Sequence, residues 1–92
     1  MFTIRWTEMA LNDIAGLWLT SDAMLRAAIT AATDELDARL AHSPDEQGES
    51  RDGGQRVTFE PPLGVAFQVH TDDQLVVVRR AWLLPPRKRK HP

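Results

Sequence analysis

The 92-residue chain contains no cysteine and no tyrosine. Without cysteine it can form no disulfide, no thiolate metal site and no cysteine nucleophile, and a reducing, intracellular compartment is allowed. No apolar run approaches the roughly 18 residues of a membrane span. The first residues also lack the basic region and long apolar core of a secretion signal. We therefore expect a cytoplasmic protein with no membrane segment.

The charge is small overall but unevenly distributed. Lysine and arginine number 11 against 13 aspartates and glutamates, for a formal charge of −2. Residues 87–92 hold four of the basic groups, so residues 1–86 carry the other seven against all 13 acids, or −6. This division predicts one domain over 1–86 and a flexible basic tail over 87–92. Such an acidic body binds nucleic acid poorly unless its arginines cluster on one face.

The first half of the chain has the pattern of a short strand and two helices. Residues 2–6 alternate like a strand, and Thr7 is a typical N-cap because its hydroxyl can accept from a free amide of the first turn. Apolar residues then recur at helical spacing at Leu11, Ile14, Leu17 and Trp18. A second, alanine-rich helix is predicted between a Thr-Ser-Asp cluster at 20–22 and Pro44, whose ring cannot continue a helix.

The second half indicates an antiparallel sheet. Residues 43–54 have no apolar side chain and predict an exposed loop, in which Gly48, Gly53 and Gly54 permit unusual backbone angles. Residues 57–60 and 63–70 have strand patterns, and 71–74 a turn. Residues 75–78 are apolar on both faces, which favours a central strand. The order β-α-α-β-β-β predicts an α+β fold, with an antiparallel sheet of about four strands and both helices on one face. Trp6, Trp18 and Phe67 are expected in the core.

These features together resemble the RelE/ParE superfamily of type II toxin–antitoxin toxins. The resemblance covers most of residues 2–84 and is carried by the strand ending in Trp6-Thr7, the helix pair, the loop GESR, Arg56 and the hairpin LGVAFQVHTDDQLVVVRRAW. The RelE branch implies a ribosome-dependent endoribonuclease acting on mRNA, and the ParE branch a noncatalytic inhibitor of DNA gyrase. Both imply a cognate antitoxin as partner and no small-molecule cofactor.

The chain departs from the residues that RNA-cleaving members of the family carry. Leu63 or Gly64 stands where an arginine is usual, and Trp82-Leu83-Leu84 stands where a glycine or histidine followed by an arginine is common. A tyrosine is also missing. RNA cleavage needs a group that takes a proton from the ribose hydroxyl, one that protonates the leaving oxygen and one that stabilises the charged intermediate. Whether the protein is an enzyme therefore stays open between the two branches.

Six polar residues remain as site candidates. In and beside the glycine-rich loop, Arg56 could present a rigid fork to phosphate, and Glu49 and Arg51 could bind each other or a substrate. Arg79 and Arg80 interrupt an apolar strand and could bind RNA or a partner. Alternatively, their role is structural, with pairing to Glu60 or Asp37. His70 ends a strand on its polar side. No histidine has metal-site spacing, so no metal is expected. The predicted catalytic residues are Arg56, Arg51 and Glu49, and the predicted RNA- or partner-binding residues are Arg79, Arg80 and His70.

Overall fold

The computed structural model describes residues 1–85, so the predicted basic tail and the last residue of the predicted domain lie outside the described residues. Within 1–85, neither helix is both long enough and apolar enough to cross a bilayer. Short 3-10 turns occur at Pro44–Glu46 and Asp52–Gly54. The helices and strands, in chain order, are β1 (Thr3–Trp6), α1 (Glu8–Leu19), α2 (Ala23–His42), β2 (Glu49–Ser50), β3 (Gln55–Glu60), β4 (Leu63–His70) and β5 (Leu75–Leu83).

The strands form a single mixed sheet in the order β1-β5-β4-β3-β2. The predicted α+β fold is confirmed, with five strands where about four were expected. Strands β2 to β5 are antiparallel neighbours, whereas β1 runs parallel to β5. The prediction of an entirely antiparallel sheet is therefore wrong at this pair. Two helices separate β1 from the other strands, so no hairpin fixes its direction.

Both helices begin at the predicted caps. The Thr7 hydroxyl accepts from the Ala10 amide at 3.1 Å, and the Asp22 carboxylate accepts from the Leu25 amide at 2.8 Å. Each bond satisfies an amide that has no partner inside the helix. Helix α2 ends at His42, two residues before Pro44, as expected from the missing donor of the proline ring.

The core lies between the helices and one face of the sheet. Phe67 at its centre is fully buried, and Ile14, Leu17 and Trp6 pack against it as partly buried residues. Trp18, however, is 38% exposed, so its predicted place in the core is wrong. The Arg26 guanidinium instead lies 5.5 Å from the centre of its ring, and Arg26 Nε donates to the Trp18 carbonyl at 2.9 Å. The buried core residues are Ala10, Ile29, Ala32, Leu36, Leu40, Leu63, Val65, Phe67, Val76, Val78 and Ala81.

The segment predicted as an exposed loop, residues 43–54, is partly ordered into the fold. Pro44 is buried, and Glu49–Ser50 pair with β3 as the two-residue strand β2. Arg39 of α2 holds this segment through Gln47, whose side-chain oxygen accepts from Nε at 2.9 Å and from a terminal nitrogen at 2.8 Å. Two residues are too few to show strand periodicity, which is why the sequence pattern did not reveal β2.

Candidate functional site

The sheet face opposite α2, called the outer face below, is where the candidate site lies. Strand registers place Gly64, Ala66, Gln68 and His70 of β4 on this face, because Leu63, Val65 and Phe67 point into the core. Side chains of neighbouring strands in the same register rows share the face. From the other strands these are Thr3, Arg5, Glu49, Gln55, Val57, Phe59, Leu75, Val77, Arg80 and Trp82.

A β-bulge in β5 places two adjacent arginines at the surface. Phe67 pairs with Val78 and Ala66 pairs with Arg80, so Arg79 is an extra residue without a partner on β4. In a regular strand Arg79 and Arg80 would point to opposite faces, and one of them would enter the core. The bulge removes this conflict, because Val78 and Ala81 are buried on either side of two exposed arginines.

Helix α1 fixes the bulge by bonding the free edge of β5 beyond the end of β1. The Thr7 amide donates to the Val78 carbonyl at 3.0 Å, and its hydroxyl donates to the Arg79 carbonyl at 3.1 Å. The Ala81 amide donates to the Asp13 carboxylate at 3.0 Å. The helix thus satisfies backbone groups on both sides of the arginine pair, which a sheet edge would otherwise leave open.

Asp13 also pairs with Arg80. The two carboxylate oxygens accept from Arg80 Nε at 2.8 Å and from a terminal nitrogen at 3.2 Å. The predicted structural partners were wrong: Glu60 pairs with Arg39 at 2.7 Å, and Asp37 accepts from the Trp6 indole at 2.9 Å. Asp13 lies 67 positions from Arg80, so no local pattern could have indicated the pair.

The pKa of Asp13 is lowered, chiefly by the hydrogen bond from Arg80. Burial opposes this shift, and the hydrogen bond from the Ala81 amide and the charge of Arg80 lower the pKa further. A carboxyl group whose pKa is lower in the folded state stabilises the fold above its unfolded pKa of about 3.9, and this contribution is lost as the pH falls through the folded value.

We expect Asp13→Asn to lower the urea midpoint at pH 7 and to differ less from the wild type near pH 3, below the unfolded pKa of the carboxyl group. Urea unfolding at both pH values measures this difference. Asp34→Asn, at an exposed position of α2, controls for the loss of one negative charge. An equal deficit at both pH values would show that the ionised form of Asp13 is not what stabilises the bulge.

The bulge arginines line a cleft of about 270 Å³. Thr7 and Met9 form the side of the cleft at the start of α1, and Gln55 of β3 forms the far side. Arg79 reaches Gln68 with a long hydrogen bond of 3.3 Å, while the side chain of Arg80 is 54% exposed despite its pairing. The cleft therefore presents two guanidinium groups and neutral amides, which suits a phosphate or carboxylate ligand.

Carboxylates are scarce on the outer face within residues 1–85. Strands β1, β4 and β5 contain no aspartate or glutamate, although residues 1–86 hold all 13 acids of the chain. Glu60 of β3 points to the helix side and is paired, and Glu49 of β2 lies at the sheet edge. Arg5, Arg79 and Arg80 are all exposed. The condition set by the sequence for anion binding, a cluster of arginines on one face, is met here.

The three residues predicted as catalytic lie apart from the cleft arginines. Arg51 pairs with Glu49 at 2.9 Å, in an exposed contact that leaves both ions hydrated. Arg56 shares the helix side of β3 with buried Thr58. Its guanidinium donates to the carbonyls of Gln47 at 3.0 Å and Gly48 at 3.2 Å and to the Ser50 hydroxyl at 2.9 Å. These bonds hold the loop to β3, and a catalytic role for the three residues stays a prediction.

His70 is exposed at the end of β4, opposite Leu75 and one outer-face position beyond Gln68. It shares the face with Arg80 but does not line the cleft. Within residues 1–85, no three histidine, aspartate or glutamate side chains are grouped closely enough to hold a metal ion. Sequence reasoning missed Thr7 and Asp13 as supports of the site and Gln55 as part of its wall.

Comparisons with known proteins agree with this architecture. No protein-family model matches the chain, and neither does any curated protein. Solved structures do match. A chain of the RelBE2 toxin–antitoxin complex from Mycobacterium tuberculosis has a TM-score of 0.69 at 15% identity, covering 89% of this chain and 90% of that one. A chain of the chromosomal ParDE system from P. aeruginosa has a TM-score of 0.68 at 17% identity, covering 92% and 98%.

The isolated E. coli RelE toxin gives a TM-score of 0.63 at 13% identity, covering 96% of this chain and 89% of that one. Identities this low establish the fold and nothing finer. The protein is a small α+β domain with two helices and a five-stranded sheet. This fold is shared with the matched chains of the RelBE2, ParDE and RelE structures, which confirms the fold implied by the resemblance to the RelE/ParE superfamily.

Proposed function

We propose that this protein is the toxin of a type II toxin–antitoxin pair. The observation that carries the proposal is the arginine cleft on the outer face of a RelE/ParE fold. The structural neighbours include RelBE and ParDE complexes, which supports a cognate antitoxin as the partner here. The exposed arginines and apolar side chains of the outer face also have the composition of a protein interface.

The target we propose is mRNA in the ribosome, as in the RelE branch. Arg79 and Arg80 would bind the phosphate backbone, with Arg80 oriented by Asp13. Guanidinium groups can also stabilise the charge that develops on a phosphate during cleavage. His70, on the outer face of β4, is our candidate for the side chain that transfers a proton.

The composition of the cleft supports a second candidate, a noncatalytic inhibitor of the ParE kind or a family member that only binds a partner. Among residues 1–85, the lining of the cleft consists of Thr7, Met9, Gln55, Arg79 and Arg80 and includes no histidine and no carboxylate. The chain also contains no tyrosine. A protein that only binds its target needs no proton-transfer group.

We expect induced expression of the wild type to stop growth. The double variant Arg79→Ala, Arg80→Gln is expected to inhibit growth at least about tenfold less strongly than the wild type. Losing a hydrogen bond from a charged group costs about 1.5–3 kcal/mol, and 1.4 kcal/mol is tenfold in affinity. Glutamine at position 80 can still donate to Asp13, which protects the fold. Colony counts after induction, with expression checked by immunoblot, give the readout.

Arg51→Ala tests the alternative, in which the predicted loop residues form the site, because it removes an exposed arginine from the loop. If the cleft is the site, this variant should inhibit growth fully. If it loses inhibition while the cleft variant keeps it, the loop is the functional site and the cleft is not. Assays of translation and of DNA supercoiling with the purified protein then separate the two branches: inhibition of translation supports the RelE-like proposal, and inhibition of supercoiling the second candidate.

A further inference from the structure

Two aromatic side chains lie in one row across the outer face. Phe59 of β3 pairs with Gly64 of β4, and Gly64 pairs with Trp82 of β5, so the three residues share a line perpendicular to the strands. Phe59, Gly64 and Trp82 are called the aromatic row. Phe59 lies one residue pair from the β3–β4 turn and is 50% exposed. Core packing therefore does not explain an aromatic residue at this position.

Gly64 lets the Trp82 indole lie directly against the sheet. A Cβ atom at residue 64 would be 2.5 Å from the indole Nε1 and 2.6 Å from a ring carbon, well inside van der Waals contact. The missing side chain thus makes room for the ring, and Gly64 is buried beneath it. The result is an aromatic surface supported by backbone on one side, with half-exposed Phe59 at its other end.

The aromatic row lies next to the row that contains Arg80. Val57, Ala66 and Arg80 are in register with one another, two residues along each strand from Phe59, Gly64 and Trp82. Two residues of a strand span about 6–7 Å. The stacking surface and the guanidinium groups are therefore about one nucleotide apart. Strands β1, β4 and β5 contribute no carboxylate to this face.

We propose that the aromatic row is a base-stacking site for single-stranded RNA, working together with the phosphate contacts of Arg79 and Arg80. This inference rests on the proposed RNA-directed function. Proteins that bind single strands combine aromatic side chains, on which bases stack, with a cationic groove that follows the phosphates. Both parts are present here in adjacent rows, which favours RNA over an apolar protein segment that would use the aromatic residues alone.

The test measures binding of a fluorescently labelled oligouridine by anisotropy at several salt concentrations. Trp82→Ala is expected to weaken binding about tenfold, which is within the range for loss of one stacked base. The slope of log affinity against log salt should stay unchanged, because no phosphate contact is removed. Arg79→Ala should instead reduce the magnitude of that slope by about 0.7. The control is Trp18→Ala, which removes a partly exposed tryptophan on α1, away from the aromatic row; this variant should bind oligouridine like the wild type.

A base-free oligonucleotide of the same length completes the test, because binding of the two ligands can be compared on the wild-type protein itself. The wild type should bind it about tenfold less tightly than oligouridine, whereas Trp82→Ala should bind both alike; Trp82→Phe, which keeps a stacking ring, should retain most of the preference. Equal binding of both ligands by the wild type would overturn the proposal. So would a Trp82→Ala variant that binds RNA normally but loses affinity for a co-expressed antitoxin, because the row would then be a protein-docking surface.

Growth inhibition is measured separately, so that the two claims can fail independently. If the wild type does not inhibit growth but prefers ligands with bases through Trp82, the toxin proposal fails and the stacking site stands. If it inhibits growth but does not distinguish base-containing from base-free ligands, the stacking site is refuted and the toxin proposal is unaffected.

Discussion

Gly48→Ala is expected to destabilise the protein by about 3 kcal/mol, a large fraction of the stability of a domain this size. Gly48 has a φ of +67°, in the left-handed region. A Cβ atom there would also lie 1.9 Å from the Val57 carbonyl oxygen and 2.7 Å from its carbon. These are backbone atoms of β3, so they cannot turn aside as a flexible side chain would. The chain must move away from β3, and the pairing of β2 is lost. Urea unfolding followed by circular dichroism measures the change.

Gly53→Ala separates the steric effect from the conformational one. Gly53 has a comparable φ of +76°, but a Cβ atom there would have no heavy atom within 4 Å. Only the left-handed penalty of about 1–2 kcal/mol applies to this variant. If the two variants were equally destabilised, the close passage of Gly48 over β3 would contribute nothing, and the loop could shift freely at that point.

The sequence predicted those parts of the fold that local chemistry determines. The caps at Thr7 and Asp22 and the end of α2 before Pro44 are set by hydrogen bonds within one helical turn. The strand at 63–70 follows from alternation alone. All three loop glycines, at 48, 53 and 54, adopt positive φ angles, as their placement in the loop suggested.

Features that depend on contacts between distant segments could not be predicted in the same way. The parallel pairing of β1 depends on the route of the chain through two helices. Trp18 lies on the apolar stripe of α1, but the stripe is wider than the surface available for packing. The Trp18 ring therefore faces solvent and the Arg26 guanidinium. Periodicity gives the direction of a side chain, whereas exposure depends on what lies opposite.

The candidate site was also predictable from the sequence only where it depends on local pattern. Their place in an apolar strand predicts Arg79 and Arg80 as binding residues, and the structure puts both in one cleft. The bulge that makes this possible has no glycine or other local marker and depends on Asp13, far away in sequence. The aromatic row escaped prediction because Phe59 and Trp82 become neighbours only through the register of three strands.

Arg39→Met is expected to destabilise the protein by about 2–3 kcal/mol. The Arg39 guanidinium joins α2 to the 43–54 segment and to β3, donating to Gln47, to Glu60 at 2.7 Å and to the Thr58 hydroxyl at 3.0 Å. Thr58 is 3% exposed, so water cannot replace its lost partner, and Glu60 would keep a half-buried charge without a counterion. Methionine preserves most of the aliphatic stem, so packing changes little. Denaturant unfolding at pH 7 measures the effect.

Two further variants identify which part of this network matters. Arg26→Met removes an arginine of the same helix whose guanidinium donates to the Trp18 carbonyl and lies over the Trp18 ring, and should cost less than about 1 kcal/mol. Adding Glu60→Gln to Arg39→Met removes the uncompensated charge, so about half of the lost stability should return, because the remaining cost comes from Thr58 and Gln47. Complete recovery would assign the whole effect to the ion pair. No recovery would assign it to the neutral hydrogen bonds, and with them to the attachment of the 43–54 segment that positions β2 at the edge of the sheet.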